Sequence, residues 1–163
     1  YAMNNLIFLD MDGVLCTQKG AASVDEAGLM CYLDPVNVKL LERALRDFNA
    51  QIVLSSTWRL TRSLQDMKEV FKFSGAPRLA ASFHSRWKTM DLGGSRGLEI
   101  ERWLADEEDL DGNVYNYVII DDTSDFLQHQ QSRFVQCDIY DGFGFRQYMQ
   151  TIKLLSNGKV GLA

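Results

Sequence analysis

Short apolar runs that each end in acids or hydroxyls constrain this chain more than any other feature. Asn5–Asp10 (NLIFLD), Gln51–Leu54 (QIVL) and Tyr115–Ile120 (YNYVII) are three such runs, and Phe134–Cys137 (FVQC) is a weaker fourth. Short continuous apolar stretches fit strands buried on both faces, as in a parallel sheet. Segments of helical periodicity separate them. Asp34-Pro35 opens one, with Asp34 as N-cap and Pro35 at the first position; Leu40, Leu41, Ala44, Leu45 and Phe48 form its apolar face. A second runs through Leu64, Met67, Val70 and Phe71 toward Gly75. A third spans about Ser95 to Glu107 with Ile100, Trp103 and Leu104 inward, and a last one turns Tyr148, Met149, Ile152 and Leu155 to the core. Residues 76–95 read as less regular. Strands joined by single helices imply right-handed crossovers. The expected fold is α/β, a Rossmann-like three-layer sandwich with a mainly parallel central sheet. Ligands in such sheets sit at the carboxyl ends of the strands.

The length of 163 residues suits one domain, expected over 3–155. Tyr1-Ala2 ahead of Met3 reads as a cloning scar, and Ser156–Ala163 as a tail. No apolar run approaches the 18 residues of a membrane span, and the N-terminus lacks the basic and apolar regions of a secretory signal. Cys16, Cys31 and Cys137 show no C-x-x-C spacing, which argues against a zinc site or disulfide framework and for a reducing cytoplasm. The net charge of −5 argues against non-specific binding to nucleic acid or anionic membrane. Its distribution is uneven. Residues 57–96 hold eight basic and three acidic side chains, a local +5, whereas residues 97–126 hold ten acidic side chains and one Arg, a local −9. Such a contrast is either an anion-binding surface beside an acidic one or two solvated faces.

The three strong runs end in residues able to handle phosphate: Asp10-Met11-Asp12-Gly13-Val14, Ser55-Ser56-Thr57 and Asp121-Asp122-Thr123-Ser124-Asp125. Asp10 and Asp12, two apart at a strand end, can project into one crevice. One carboxylate can attack phosphorus, and the other can give a proton to the leaving oxygen. Gly13 permits a sharp turn there. A carboxylate approaching a phosphate repels it by about 1 kcal/mol per unit pair at 4 Å in water and about 4 at an effective dielectric near 20. A cation is therefore needed. Carboxylates and carbonyls suit Mg²⁺, and Asp121 with Asp122 or Asp125 supplies further acids. Asp121 and Asp125 share a face if a helix begins there. Ser55 and Ser56 offer hydroxyls and backbone N–H groups to phosphate oxygens at an expected helix start. Arg96 is the first candidate to neutralise the transferring group and Lys88 the second, with Arg59 and Lys88 as further substrate contacts. His84 and His129 stand isolated, Trp58, Trp87 and Trp103 suit core or rim, and no P-loop motif occurs.

The set of Asp10-Met11-Asp12-Gly13-Val14, Ser55, a basic residue before a helix, and Asp121-Asp122 resembles the haloacid dehalogenase (HAD) superfamily of phosphohydrolases over about residues 5–155. The resemblance implies a sheet in which the first and third strong strands are adjacent. It implies Asp10 as nucleophile and Asp12 as general acid/base, with the Asp12 carbonyl also on Mg²⁺. Ser55 would be the phosphate-binding hydroxyl and Asp121 the metal carboxylate, joined by Asp122 in the double-Asp form or Asp125 in the spaced form. The family's usual Lys is replaced by Arg96. The stretches IVLSSTWR, RGLEIERWL and YVIIDDTSDF are similar to a small capless branch that includes HAD domains of bacterial and phage RNA-repair proteins.

The gaps between motifs, 42 residues (13–54) and 38 residues (58–95), leave no room for a cap beyond a short flap around Thr17–Tyr32. The expectation is an open-sited, Mg²⁺-dependent phosphatase acting through an aspartyl-phosphate. Its substrate would be a phosphorylated nucleotide, nucleic-acid end or other macromolecule. A phosphotyrosine or phosphoserine protein phosphatase, a non-catalytic phosphate-binding module and a phosphotransferase are the competing readings.

Overall fold

Five strands form one sheet, every neighbouring pair parallel, in the order β3-β2-β1-β4-β5. The computed structural model describes residues 4–22 and 33–157. The strands are β1 (Asn4–Leu9), β2 (Gln51–Leu54), β3 (Phe83–Lys88), β4 (Tyr115–Asp121) and β5 (Phe134–Gln136). The helices are α1 (Gln18–Ala22), α2 (Pro35–Phe48), α3 (Leu64–Phe73), α4 (Pro77–Ala81), α5 (Arg96–Asp111) and α6 (Phe145–Asn157). β1 lies at the centre, between β2 and β4, as the first and third apolar runs were expected to pair.

The strands β1, β2 and β4 divide their side chains between two cores. Ile7, Leu9, Ile52, Leu54, Val118 and Ile120 face one side, where α2, α3, α4 and α6 bring Leu41, Phe71, Leu79 and Leu155. Leu6, Phe8, Val53 and Ile119 face the other, where α5 alone supplies Ile100 and Trp103. Phe8 meets Trp103 edge to face at 5.4 Å between ring centres. Helices thus cover both faces, giving the α/β three-layer arrangement with no large cap among the described residues. None of the described helices is long and apolar enough to cross a membrane.

Helix starts follow the local chemistry. Asp34 accepts from the Val36 and Asn37 N–H groups (3.0 and 3.4 Å) ahead of Pro35. Ser63 and Asp66 form a reciprocal capping box on α3. Four local expectations need correction. Residues 76–95 contain α4 and β3; β3 is a half-exposed edge strand whose register against β2 shifts, so it carries no apolar run to betray it. Met149 is exposed, while Tyr148, Thr151 and Leu155 form the buried face of α6. No helix begins at Asp121, since the chain turns and next forms a 3₁₀ helix at Gln128–Arg133. Ser156 and Asn157, expected in the tail, belong to α6. The scar at Tyr1-Ala2, Cys31, most of the flap and the rest of the tail lie outside the described residues.

Candidate active site

The topology delivers the motif residues to one edge. Asp10 directly follows β1, and its N–H donates to the Ile120 carbonyl of β4 (3.0 Å). Ser55 follows β2, and its N–H donates to the Leu9 carbonyl (3.0 Å). Asp121 closes β4. Carboxyl ends of parallel neighbours therefore converge around the central strand, where chain segments more than a hundred residues apart become adjacent.

Asp10, Asp121 and Asp122 form a cluster in which one carboxylate oxygen from each lies within 4.8 Å of the others. Asp10 and Asp121 are buried and Asp122 half-buried. Arg96, the first residue of α5, reaches into the cluster; its Nη1 lies 2.6 Å from Asp121 Oδ2 and 3.2 Å from Asp10 Oδ2. Ser95 caps that helix by accepting from the Leu98 N–H. Thr123, through its N–H and its hydroxyl, donates to Asp121 Oδ1 (2.9 and 3.0 Å), which fixes that carboxylate's rotamer.

Three carboxylates against one guanidinium leave surplus negative charge in a partly dry place. Burial first, and then the Asp121 charge, push the Asp10 carboxyl up to about 7, against the opposing pull of Arg96. A hydrogen bond with Asp122 also raises it. Asp122 is raised too, by burial ahead of its contacts with Asp121. Arg96 is held firmly protonated; burial works against its charge, and Asp10 and Asp121 outweigh it. Burial, reinforced by the same three aspartates, pushes the nearby Cys137 thiol far above its ordinary range, so it stays neutral.

Asp12 stands apart from the cluster. Its carboxylate is exposed and accepts from Trp58 Nε1 at 3.1 Å. Gly13 is required here on two counts. Its φ is +76°, and a Cβ would lie 2.4 Å from Asp122 Oδ2. Ser55 Oγ is buried with no hydrogen-bond partner among the described residues, whereas Ser56 caps a 3₁₀ turn (Thr57–Leu60) by accepting from the Trp58 N–H.

The remaining candidates sit elsewhere. Arg59, expected to contact substrate, is 3% exposed and wholly committed to the Ser55, Ser56, Thr89 and Met90 carbonyls and the Glu99 carboxylate. It ties the loops together and does not reach the acids. Lys88, at the end of β3, is exposed over the Trp87 ring at 5.0 Å, two strands from Asp10; Arg96 and not Lys88 touches the cluster. Asp125 is exposed and outside the cluster, because a turn and not a helix follows Asp121; its carbonyl accepts from the Gly97 N–H (3.2 Å). Sequence reasoning missed Trp58, Thr123 and Glu99. Thr123, two residues past a site aspartate, carried the signal of a local side-chain bridge; Trp58 and Glu99 carried none.

A family model described as the HAD domain in Swiss Army Knife RNA repair proteins matches residues 6–147. No curated protein matches the chain.

Proposed function

From its place in that family, since the chain belongs to the HAD domains of Swiss Army Knife RNA repair proteins, we propose that it is a Mg²⁺-dependent phosphatase acting through an aspartyl-phosphate. The substrate is the phosphomonoester of a nucleotide or nucleic-acid end, and the segment from β1 through α6 acts as one domain in a reducing cytoplasm. The observation that carries this reading is the meeting of Asp10, Asp121 and Asp122 with Arg96 at the carboxyl edge of β1 and β4.

The donor set fits a hard divalent cation, being all oxygen and carrying more negative charge than Arg96 offsets. Asp10, Asp121 and Asp122 would hold Mg²⁺, with the Asp12 carbonyl as a further ligand. The ion, when bound, neutralises charge on the phosphoryl oxygens. The chain's own groups supply the other steps. An Asp10 carboxylate oxygen forms a bond to phosphorus as the bond to the leaving oxygen breaks. Asp12, as the carboxylic acid, gives its proton to that oxygen; as carboxylate it then takes a proton from the water that attacks phosphorus and frees Asp10 and phosphate. The indole N–H of Trp58 orients the Asp12 carboxylate. Arg96 and the orphan Ser55 hydroxyl bind phosphoryl oxygens.

Phosphate release from an aryl phosphate tests this. Activity should need Mg²⁺ and vanish with EDTA. Asp10→Asn should abolish it while the protein stays folded by circular dichroism; full activity in that variant refutes the nucleophile assignment.

A further inference from the structure

The carboxyl edge of the sheet is electrically divided. On the β4–β5 side its loops carry Asp121, Asp122, Asp125, Asp138 and Asp141; on the β2–β3 side they carry Arg59, Arg62, Lys88 and Arg96 against one acid, Asp91. Arg59 is consumed internally and Arg96 lies among the acids, which leaves Arg62 and Lys88 as the outward cations. Neither has a carboxylate within ion-pair distance among the described residues, and each lies over an indole. The Arg62 guanidinium sits 4.0 Å from the Trp58 ring centre, and Lys88 Nζ sits 5.0 Å from that of Trp87.

Trp58 is also the residue whose Nε1 bonds Asp12. One indole therefore joins the site at its edge to an ordered cation on its face. Arg62 is half-buried against the Trp58 ring, and its planar fork presents several donors to a phosphodiester. An anionic strand leaving the reacting phosphate is repelled by the aspartates toward β5 and drawn over β2 and β3.

We propose that Arg62, stacked on Trp58, binds the phosphodiester next to the reacting phosphate, and that a single-stranded polynucleotide leaves the site over the β2–β3 edge toward Lys88. This rests on the phosphatase reading for the location of the reacting phosphate, and it adds a subsite that distinguishes a polynucleotide from a mononucleotide.

Binding tests it separately from turnover. The Asp10→Asn chain is titrated against a fluorescein-labelled RNA hexamer bearing a 3′-phosphate, followed by anisotropy at several salt concentrations. Adding Arg62→Ala should weaken binding about tenfold, the loss of one charge-assisted contact, and reduce the slope of log K against log salt by about 0.7. Arg62→Glu should weaken it further, with the thermal midpoint close to the parent's. In the Asp10-intact chain, kcat/KM for the hexamer should fall with Arg62→Ala by about ten times more than for an aryl phosphate. No binding of the hexamer, equal binding by the Arg62 variants, or a larger loss from Arg146→Ala, which lines a cleft of about 490 Å³ beside β5, overturns the subsite. Binding through Arg62 with no turnover of any phosphate refutes the phosphatase reading and leaves Arg62 as a phosphodiester contact of a binding module.

Discussion

Removing the Arg59 side chain should cost this fold far more than an ordinary point substitution. The guanidinium is 3% exposed and its partner Glu99 carboxylate 4%. Nε donates to Thr89 O (3.0 Å), Nη1 to Ser55 O and Ser56 O (3.1 and 2.9 Å), and Nη2 to Met90 O (3.4 Å) and Glu99 Oε2 (2.9 Å). The other Glu99 oxygen accepts from the Leu92 N–H (3.1 Å). One cation therefore binds three segments: the turn after β2 that bears Ser55, the turn after β3, and the first turns of α5, where Arg96 lies three residues before Glu99. Arg59→Met keeps similar volume but leaves a buried carboxylate without its counter-charge and several buried carbonyls without donors. Breaking one side of a buried pair destabilises by about 3–5 kcal/mol. That is a large part of a typical total of about 5–15 kcal/mol.

Urea denaturation followed by tryptophan fluorescence measures the effect. With a slope of about 2 kcal/mol/M, the midpoint should fall by roughly 2 M, and the thermal midpoint by about 10 °C. The double variant Arg59→Met/Glu99→Leu removes both charges together. It should be more stable than the sum of the single variants predicts, by about 2 kcal/mol or more. A loss under about 1 kcal/mol in Arg59→Met, or strict additivity in the cycle, refutes the argument that this pair is the buried tie between the loops.

Two further outcomes follow from the geometry. Gly13→Ala should reduce phosphate release at least tenfold, because the new Cβ at 2.4 Å must displace Asp122 Oδ2 and because φ is +76°; activity within twofold of the parent rules this out. Stability should fall as the pH drops below about 6.5 in a manner that depends on His84. Burial, ahead of the Arg86 charge, holds its pKa below the ordinary 6.5 although Glu107 pulls the other way. Its Nδ1 accepts from the Arg86 N–H (2.9 Å), and its Nε2 lies 2.9 Å from Tyr115 Oη, which donates to Glu107 Oε2 (2.8 Å). A second proton on the ring would meet a donor. The unfolded chain thus takes up the proton first, so stability is full above the ordinary value and declines below it until the folded ring also protonates. Urea midpoints at pH 7.5 and 5.5 should differ less in His84→Gln than in the parent; equal differences refute the assignment.

The strands buried on both faces were legible because burial forces continuous apolar runs, and β1, β2 and β4 are such strands. The site acids were legible for a related reason. A parallel strand must end where its apolar run ends, so Asp10, Ser55 and Asp121 fall at one edge of the sheet. The α2 and α5 starts were legible through Asp34 and Ser95, whose short side chains cap locally. β3 was not legible, since an edge strand with one neighbour needs no uniform burial. Nor was Arg59. A buried cation has the same one-letter symbol as a solvated one, and only its distant partner at position 99 distinguishes them. That Asp122 and not Asp125 joins the acid cluster turns on the backbone turn after β4, which Asp, Thr and Ser permit in several forms.

The composition of the acid cluster connects fold and chemistry. At 4.8 Å, the outer limit of the separations in the cluster, two unit negative charges repel by roughly 3.5 kcal/mol at an effective dielectric near 20. Burial first, and then that repulsion, hold the Asp10 carboxyl up at about 7, so that it is only partly ionised at neutral pH. Arg96 relieves it in part, since one guanidinium faces three carboxylates. A divalent ion held by the three carboxylates would add two positive charges, bring the group to balance and favour the ionised form of Asp10. The sheet therefore holds its acids in an arrangement that chain packing alone does not neutralise. The backbone hydrogen bonds of β1 and β4, the Thr123 bridge and the Cβ-free Gly13 keep those acids close while the charge is unrelieved.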